Sequence, residues 1–315
     1  VSNFEVRIFG TGSAIPTNSR LPSSQVVSIN DRHHLVDCGE GAQIQLIRNR
    51  VKFSRLDAIF ISHMHGDHVL GVPGLLNSLS MYERTHPLKL FAPAGLKQVL
   101  EVIFDQTQSY LSYEIEFFPL EDFKPGSIIY QTDKYEVNLL PLEHRVFCRG
   151  FLFNEINKRP KFDFYKAKAL GVPNNYFKLL KQGNTIHLED GREIRPEMVL
   201  GEADKPLSYA YCSDTRFVEG LARYIRNSTL LYHEATFLHD LKGRADETFH
   251  STAREAATLA KLAQVKHLLL GHFSARYRDL TPFIEEAKEV FARVDVAKEG
   301  QVINLKDIMK AYEQV

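Results

Sequence analysis

Apolar and polar positions alternate from the start of the chain. Phe4-Glu5-Val6-Arg7-Ile8-Phe9 has the period of two of a strand. Further strand-like runs, punctuated by Gly and Pro, fill positions 4 to 62 and end in Leu56-Asp57-Ala58-Ile59-Phe60-Ile61-Ser62. The period then changes. A helix is predicted near Leu75 to Glu83, and another over Gly95 to Thr107, where Leu96, Val99, Leu100 and Ile103 fall at helical spacing. Strands return towards position 144. Beyond position 214 the two periods alternate. Phe217 to Arg226 reads as helix, Leu230 to His233 as strand, Ser251 to Ala263 as helix and Lys266 to Leu270 as strand. A helix over Thr281 to Arg293 follows, with Thr281 or Asp279 as its cap. Two strand-rich halves that each carry helices predict an α/β (α+β) fold, with two sheets packed face to face and helices outside, as one domain over 1–315.

Residues 151–206 interrupt this rhythm and read as an arm inserted within that domain. Lys158, Arg159, Lys161, Lys166, Lys168, Lys178 and Lys181 crowd a stretch whose acids are Glu155 and Asp163. Phe162, Phe164, Tyr165, Tyr176 and Phe177 lie among them, and Gly171-Val172-Pro173-Asn174-Asn175 marks a turn. Basic residues interleaved with aromatics suit a surface that tracks a phosphate backbone. The competing reading is a solvated hairpin whose aromatics pack on the body.

The chain as a whole is much less basic. Lys and Arg total 39 of 315 residues, Asp and Glu another 39, and the formal charge is zero. That balance argues against a nucleic-acid partner unless charge is concentrated locally, as it is here. At 44% hydrophobic and 25% charged, the composition is that of an ordinary globular protein. No apolar run approaches the ~20 residues of a membrane span. No secretory leader is read ahead of the strand that begins at Phe4. Cys38, Cys148 and Cys212 are odd in number and lack CxxC spacing, so no disulfide framework is expected and a reducing cytoplasm fits.

Candidate chemistry concentrates in His63-Met64-His65-Gly66-Asp67-His68, directly after the buried-strand pattern. On an extended segment, side chains two apart point the same way, so His63 and His65 can grip one cation. The turn begun by Gly66 can swing Asp67 and His68 towards a second. Imidazole and carboxylate are the ligands of catalytic zinc sites. Further ligands must complete the set, and His144, Asp214 and His272 each stand at the end of an apolar run. Ligands in α/β proteins collect at strand ends. Taken singly, His144 and His272 could be structural, and Asp214 a helix cap.

His-x-His-x-Asp-His followed by spaced His, Asp and His resembles the metallo-β-lactamase superfamily. Within it the chain is similar to the ribonuclease Z family, the tRNA 3′-processing endonucleases, in their short form. The likeness spans nearly the whole chain. It is carried by Phe9-Gly10-Thr11-Gly12-Ser13-Ala14-Ile15-Pro16-Thr17, Val36-Asp37-Cys38-Gly39-Glu40-Gly41 and Gly71-Val72-Pro73-Gly74-Leu75-Leu76. It continues in His233-Glu234-Ala235-Thr236-Phe237, His250-Ser251-Thr252 and Gly271-His272-Phe273-Ser274-Ala275-Arg276-Tyr277.

The resemblance implies a metallo-β-lactamase αββα sandwich with metals at one edge between the sheets, and a protruding arm that binds the tRNA body. It implies two Zn2+ per chain, with Mn2+ or Mg2+ as alternatives. His63, His65 and His144 would hold one, Asp67, His68 and His272 the other, and Asp214 would bridge them. Metal-hydroxide attack on a phosphodiester would remove the 3′ trailer from precursor tRNA and leave a tRNA 3′-hydroxyl, with Asp67 orienting the nucleophile. His250 matches the family's proton donor, and Glu234 would orient it; read from the residues alone, His250 is equally the boundary of the helix near Ser251. His233 reads as structural. Arg276 and Ser274 would hold a substrate phosphate, with a surface ion pair as the competing role of Arg276. Lys158, Arg159, Lys161, Lys166 and Lys168 would contact RNA. A homodimer is implied, with the apolar stretch Gly71 to Leu79 as part of its interface.

Two departures stand out. The loop after Pro16-Thr17 often reads Arg-Asn in this family, whereas here it reads Arg20-Leu21-Pro22-Ser23-Ser24, leaving Arg20 as a phosphate contact. Arg149-Gly150-Phe151 replaces a common Gly-Tyr pair, a change of packing. Two other functions compete. One is a small-molecule metallo-hydrolase on the same fold, acting on a lactone, a thioester or a cyclic phosphodiester. The other is an RNA-binding protein that uses zinc structurally.

Overall fold

A computed structural model describes residues 3–156 and 160–314. Lys158 and Arg159 therefore lie outside the described residues. The chain divides into two compact units, residues 1–154 with 207–315, and residues 155–206.

The strands run β1 (Phe4–Gly10), β2 (Ser24–Ile29), β3 (Arg32–Cys38), β4 (Leu56–Phe60), β5 (Leu88–Ala92), β6 (Ile115–Pro119), β7 (Ile128–Gln131), β8 (Tyr135–Pro141) and β9 (Arg149–Glu155). Within 155–206 come β10 (Pro160–Phe162), β11 (Ile186–His187), β12 (Glu193–Ile194) and β13 (Leu200–Ala203). Then follow β14 (Ser208–Cys212), β15 (Leu230–Glu234), β16 (His267–Gly271), β17 (Val294–Val296) and β18 (Val302–Asn304). One seven-stranded sheet has the order β18-β1-β2-β3-β4-β5-β6, the other β17-β16-β15-β14-β9-β8-β7.

The period of two explains how the layers stack. Val6 and Ile8 of β1, Ala58 and Phe60 of β4, Tyr209 and Tyr211 of β14 and Leu269 of β16 share the core between the sheets. Their neighbours in sequence face outwards to helices. Phe9 and Ile59 pack in a second core with residues of α1 (Ala42–Arg48), α3 (Val72–Met81) and α4 (Gly95–Gln106); α2 (Gly66–Val69) lies between α1 and α3 in sequence. In 155–206 the helices are α5 (Phe164–Ala169) and α6 (Phe177–Lys181). After α7 (Lys242–Thr248), α8 (Ala253–Leu262) and α9 (Thr281–Lys288) share a third core with Ala210, Cys212, Leu268 and Leu270. The result is the expected helix–sheet–sheet–helix order, closed by α10 (Leu305–Glu313), which sets Leu305 and Met309 into the inter-sheet core. Each fully buried Leu, Ile or Phe stabilises this arrangement by about 1.5–3 kcal/mol.

Several expected boundaries shift. Residues 151–154 belong to the second sheet, because β9 pairs with β14 from Phe151↔Tyr211 to Asn154↔Ser208. The insertion therefore begins at 155. Phe217 to Arg226 holds only a short 3-10 helix, Glu219–Arg223. The helix from Thr281 stops at Lys288, since β17 must begin at Val294 to reach Leu268 of β16. Asp279 supplies its start, accepting the Thr281 amide at 2.9 Å. The apolar side chains of Gly71 to Leu79 face inwards, while Pro73, Gly74, Asn77 and Ser78 keep the outer side of the stretch partly or fully exposed. Val72, Leu75, Leu76 and Leu79 are fully buried under the first sheet, and the apolar side chains left exposed at this helix end are Met81 and Tyr82. Among the described residues, no helix is long and apolar enough to cross a membrane. The three cysteines are free and buried.

Candidate metal centre

The centre is built from strand ends. His63 lies just past β4, His144 past β8, Asp214 past β14 and His272 past β16, while Glu234 ends β15. Backbone turns there are tight. Asp37, Asp214, His272 and Phe249 all adopt left-handed φ values of 55°, 53°, 57° and 58°. A non-glycine residue in that region costs roughly 1–3 kcal/mol, and such residues cluster where function holds them.

Counting protons defines the first donor group. The Ser62 hydroxyl donates to Asp37 Oδ2, so the Ser62 oxygen accepts from His63 Nδ1 at 3.0 Å. The Phe249 carbonyl can only accept, so His144 Nδ1 donates to it at 3.0 Å. Both rings therefore present an unprotonated Nε2. These two atoms face His65 Nδ1 at 3.0 and 3.2 Å. Three ring nitrogens with at most one proton among them do not make a stable hydrogen-bond network in a buried place. They make a cation site. Asp214 Oδ2 closes the group, 3.5 Å from His63 Nε2 and 3.8 Å from His144 Nε2.

The second group shares Asp214 through its other oxygen. Oδ1 lies 3.2 Å from His68 Nε2 and 3.1 Å from His272 Nε2. Asp67 Oδ2 is 3.5 Å from each of the same two nitrogens. His68 Nε2 and His272 Nε2 are buried without a hydrogen-bond partner. Tetrahedral coordination with metal–nitrogen bonds of 2.0–2.1 Å sets ligand atoms about 3.3–3.4 Å apart. The donor spacing brackets that value, so the residues fit a metal cofactor.

The electrostatics agree. Burial lowers the pKa of His63, His65 and His144 and keeps them neutral ligands. Burial would also lower His68, but Asp214, Asp37 and Asp67 outweigh it and push His68 well above its ordinary value. Burial opposes the Asp214 charge, yet His272, His68 and His63 hold its carboxyl well below the usual range. Carboxylates that force a proton onto a fully buried imidazole surround a place where positive charge belongs.

Partners that carry no ligand spacing of their own orient the ligands. Fully buried Asp37 accepts from His68 Nδ1 at 2.7 Å, from the Ser62 amide at 2.8 Å and from the Tyr211 hydroxyl at 2.6 Å. Thr236 Oγ1 meets His272 Nδ1 at 2.9 Å. Such bonds to the far nitrogen fix the tautomer and raise ligand basicity. Asp37 had a signal in the sequence, since it too ends an apolar run; the Phe249 carbonyl had none. Gly271 is required by its neighbour, because a Cβ there would lie 2.1 Å from the Tyr232 hydroxyl.

His250 stands beside this centre, its ring 5.1 Å from that of His144 and 5.4 Å from that of His272. Its Nδ1 donates to Glu234 Oε1 at 2.8 Å. Burial lowers its pKa, but Glu234, by charge and hydrogen bond, with Asp214 and Asp67 behind it, raises it to about 9. Glu234 is itself fully buried and accepts the Thr215 amide and the Thr236 hydroxyl as well. His250 is not the helix boundary: Thr252 caps α8, sharing reciprocal bonds with Glu255. His233 turns its Nδ1 to the Glu234 carbonyl, a structural contact.

The expected substrate contacts divide. Arg276 is exposed, with its guanidinium 5.0 Å over the Phe237 ring and its Nε donating to Ser274 Oγ at 3.2 Å. Arg20 is not presented to a substrate. It is 9% exposed, and its Nη2 donates to the carbonyl oxygens of Ser274 and Tyr277 at 3.1 and 2.6 Å. In the 155–206 unit, Lys161 pairs with Asp204 at 2.6 Å, Lys166 lies 3.8 Å from Asp163, and Lys168 sits 4.9 Å over the Phe164 ring. Its aromatics are partly consumed in a small core of the unit's own. Phe177 packs with Leu180, Val199 and Phe162, while Tyr165 remains 86% exposed.

Known proteins resemble this chain in sequence and fold. A family model described as "Anti-Pycsar protein Apyc1" matches residues 4–158. The metallo-beta-lactamase fold protein YhfI from Bacillus subtilis is 20% identical with a TM-score of 0.67, over 96% of this chain and 99% of that one. The fold is thus that of the metallo-β-lactamase proteins. The crystal structure of human tRNase Z, short form, is 26% identical with a TM-score of 0.69, again over 96% and 99% of the two chains. "Ribonuclease Z" of Parabacteroides distasonis is 40% identical over 310 residues, 97% of this chain and 100% of that protein. The chain belongs to the ribonuclease Z family.

Proposed function

We propose that this protein is a metal-dependent endoribonuclease that removes the 3′ trailer from precursor tRNA and leaves a 3′-hydroxyl on the tRNA. The observation that carries this reading is the 40% identity to ribonuclease Z over 97% of the chain. The donor atoms would hold two metal ions, zinc by ligand type: His63, His65 and His144 would take one, Asp67, His68 and His272 the other, and Asp214 would offer an oxygen to each. When bound, the metals polarise the phosphoryl oxygen and lower the pKa of water.

The chain's own residues do the rest. Asp67 orients the attacking water. Water oxygen joins phosphorus and its proton passes to solvent as the bond from phosphorus to the tRNA 3′ oxygen breaks. His250, with Nδ1 engaged by Glu234, is protonated at neutral pH and turns Nε2 to give that oxygen its proton. Glu234 balances the positive charge and fixes the ring. Ser274 and Arg276 hold a substrate phosphate by charge-assisted bonds. The insertion, with Lys158, Arg159, Lys161, Lys166 and Lys168, binds the tRNA body. The reading includes a homodimer in the cytoplasm; a monomer with full activity on tRNA, found by light scattering at micromolar concentration, would overturn the dimer.

The test compares two substrates on one preparation. Precursor tRNA should be cleaved to a tRNA 3′-hydroxyl and a 5′-phosphorylated trailer. A bis-aryl phosphodiester should be hydrolysed by the same sites. A chelator should abolish both, and zinc, manganese and magnesium are then added back in turn. Hydrolysis of the aryl ester without tRNA cleavage would favour a small-molecule hydrolase. RNA binding with neither reaction would favour structural zinc.

A further inference from the structure

The loop between β1 and β2 touches the centre at one point and the substrate side at another. The Ala14 amide donates to Asp67 Oδ2 at 2.7 Å, from a residue held at a left-handed φ of 65°. Alanine keeps that conformation only where its surroundings enforce it. Here they do so from two directions. The Ser13 amide donates to the Phe273 carbonyl at 3.1 Å, and the Phe273 amide returns to the Thr11 carbonyl at 2.8 Å. This joins the loop to the residue after His272. Further along, the Arg20 guanidinium donates to the Ser274 and Tyr277 carbonyls, which frame the turn that carries Arg276.

Arg20 is itself fixed. Its amide donates to Thr17 Oγ1 at 2.9 Å, and its carbonyl receives the Thr17 amide at 2.8 Å. Glu299 accepts the amide of the next residue, Leu21, at 2.5 Å, and its charge acts on Arg20 against the effect of burial. Gly10 is needed for this folding back, because a Cβ there would lie 1.6 Å from the Pro22 carbonyl oxygen. A guanidinium this buried, donating to two carbonyls of one turn, is a brace.

We propose that Arg20, next to the Leu21 amide that Glu299 holds, is a positioning residue: it locks the Ala14 amide that orients Asp67 to the Ser274–Tyr277 turn, so that the metal ligand and the phosphate-holding turn keep one fixed geometry. The inference rests on the proposed function. Its own test reads metal affinity as well as turnover, so the two can fail separately.

Arg20→Met, Arg20→Lys and Glu299→Gln are compared with the unaltered protein. Zinc affinity of the apo-protein is measured by competition with a chelator, and melting temperature is recorded beside it. Turnover is measured with precursor tRNA and with bis-aryl phosphodiester. Arg20→Met should weaken zinc binding by about 10–100-fold, the usual range for an outer partner of a metal ligand. It should lower kcat on both substrates together, with KM for tRNA unchanged. Arg20→Lys keeps the charge and reaches one carbonyl, so it should recover part of both losses. Glu299→Gln keeps the Leu21 bond and removes the charge, and should shift both readouts in the same direction by less. If Arg20→Met does not fold, the other two variants carry the test. Normal zinc affinity and kcat with only a lower melting temperature would make Arg20 a structural brace and overturn the proposal. A raised KM confined to tRNA would make it a phosphate contact and overturn it equally. Absence of tRNA cleavage in the unaltered protein would instead refute the function, while the zinc readout would still judge Arg20.

Discussion

At the sandwich edge, His63, His68, Asp37 and Glu234 are fully buried, and each is held by named neighbours. In the 155–206 unit, Lys161 and Asp204 pair with side chains 69% and 57% exposed. An exposed pair of that kind is worth about 0–1 kcal/mol and weakens with salt. Removing one member of a buried charged set costs about 3–5 kcal/mol, because the remainder stays unpaired. The two regions therefore store different things. The edge stores geometry, set by strand ends far apart in sequence and by strained turns. The insertion stores charge along a surface, replaceable residue by residue. Nor is that charge uniform: all its lysines except Lys205 lie before position 182, whereas Glu189, Asp190, Glu193, Glu197, Glu202 and Asp204 lie after it.

This contrast can be broken first at Asp214. Asp214→Ala removes an oxygen from both donor groups at once. Turnover should fall to background and metal content should drop, with far-ultraviolet circular dichroism unchanged because each helix layer has a core of its own. Full metal occupancy with normal turnover would refute the bridging role. The next largest effect is expected from His250→Ala. Turnover should fall ~10²–10⁴-fold, the range of a positioned acid, while metal content holds. Loss of metal along with activity would make His250 a ligand.

A pH profile sharpens the same point. His250 must carry its proton to donate it, so activity falls as pH rises through its pKa, raised to about 9 by Glu234. Cations on Asp214 and Asp67 cancel part of that support and bring the limb below this value. Glu234→Gln removes the largest support and should move the limb to still lower pH. An unmoved limb would detach Glu234 from His250.

The insertion should respond in the opposite way. β9 and β14 are antiparallel neighbours with Asn154 opposite Ser208, so a Gly-Ser turn can join them once 155–206 is removed. The whole unit must go, because its small core spans Ala167 to Val199. Hydrolysis of bis-aryl phosphodiester and metal content should persist. Affinity for tRNA should fall, and its salt dependence should flatten by about 0.9 in log–log slope for each duplex phosphate that is no longer neutralised. Unchanged tRNA processing and slope would exclude the insertion as the RNA-binding device. The smallest effect is expected from single charge reversals such as Lys161→Glu, which removes the Lys161–Asp204 ion pair and adds repulsion. Binding should weaken modestly at low salt, and equal affinity at all salt concentrations would remove Lys161 from the surface.

Much of the centre was legible along the chain. His63, His65, Asp67, His68, His144, Asp214 and His272 all stand at or just beyond apolar runs, and the structure gathers them into groups whose ligand atoms lie within 4.8 Å of one another. Local spacing suffices there, because a strand buried on both faces can present polar side chains only past its end. Asp37 obeyed the same rule and was overlooked, since a lone carboxylate carries no ligand spacing. Arg20 turned out to face inwards for a different reason. Periodicity tells which residues share a face, but not what covers that face.

Apolar period and ligand type were written in the residues themselves: two strand-rich halves, a donor set of histidines and aspartates, and an insertion of mixed basic and aromatic character. Those are local properties of side chains and of the backbone's fixed repeat. Tertiary structure alone decided that Asp214 turns one oxygen to each donor group, that Asp37 steers His68, and that Arg20 faces inwards to carbonyls. Each depends on pairing strands separated by tens to hundreds of residues, and that pairing is selected by the total burial of the sheets, a quantity no single segment carries.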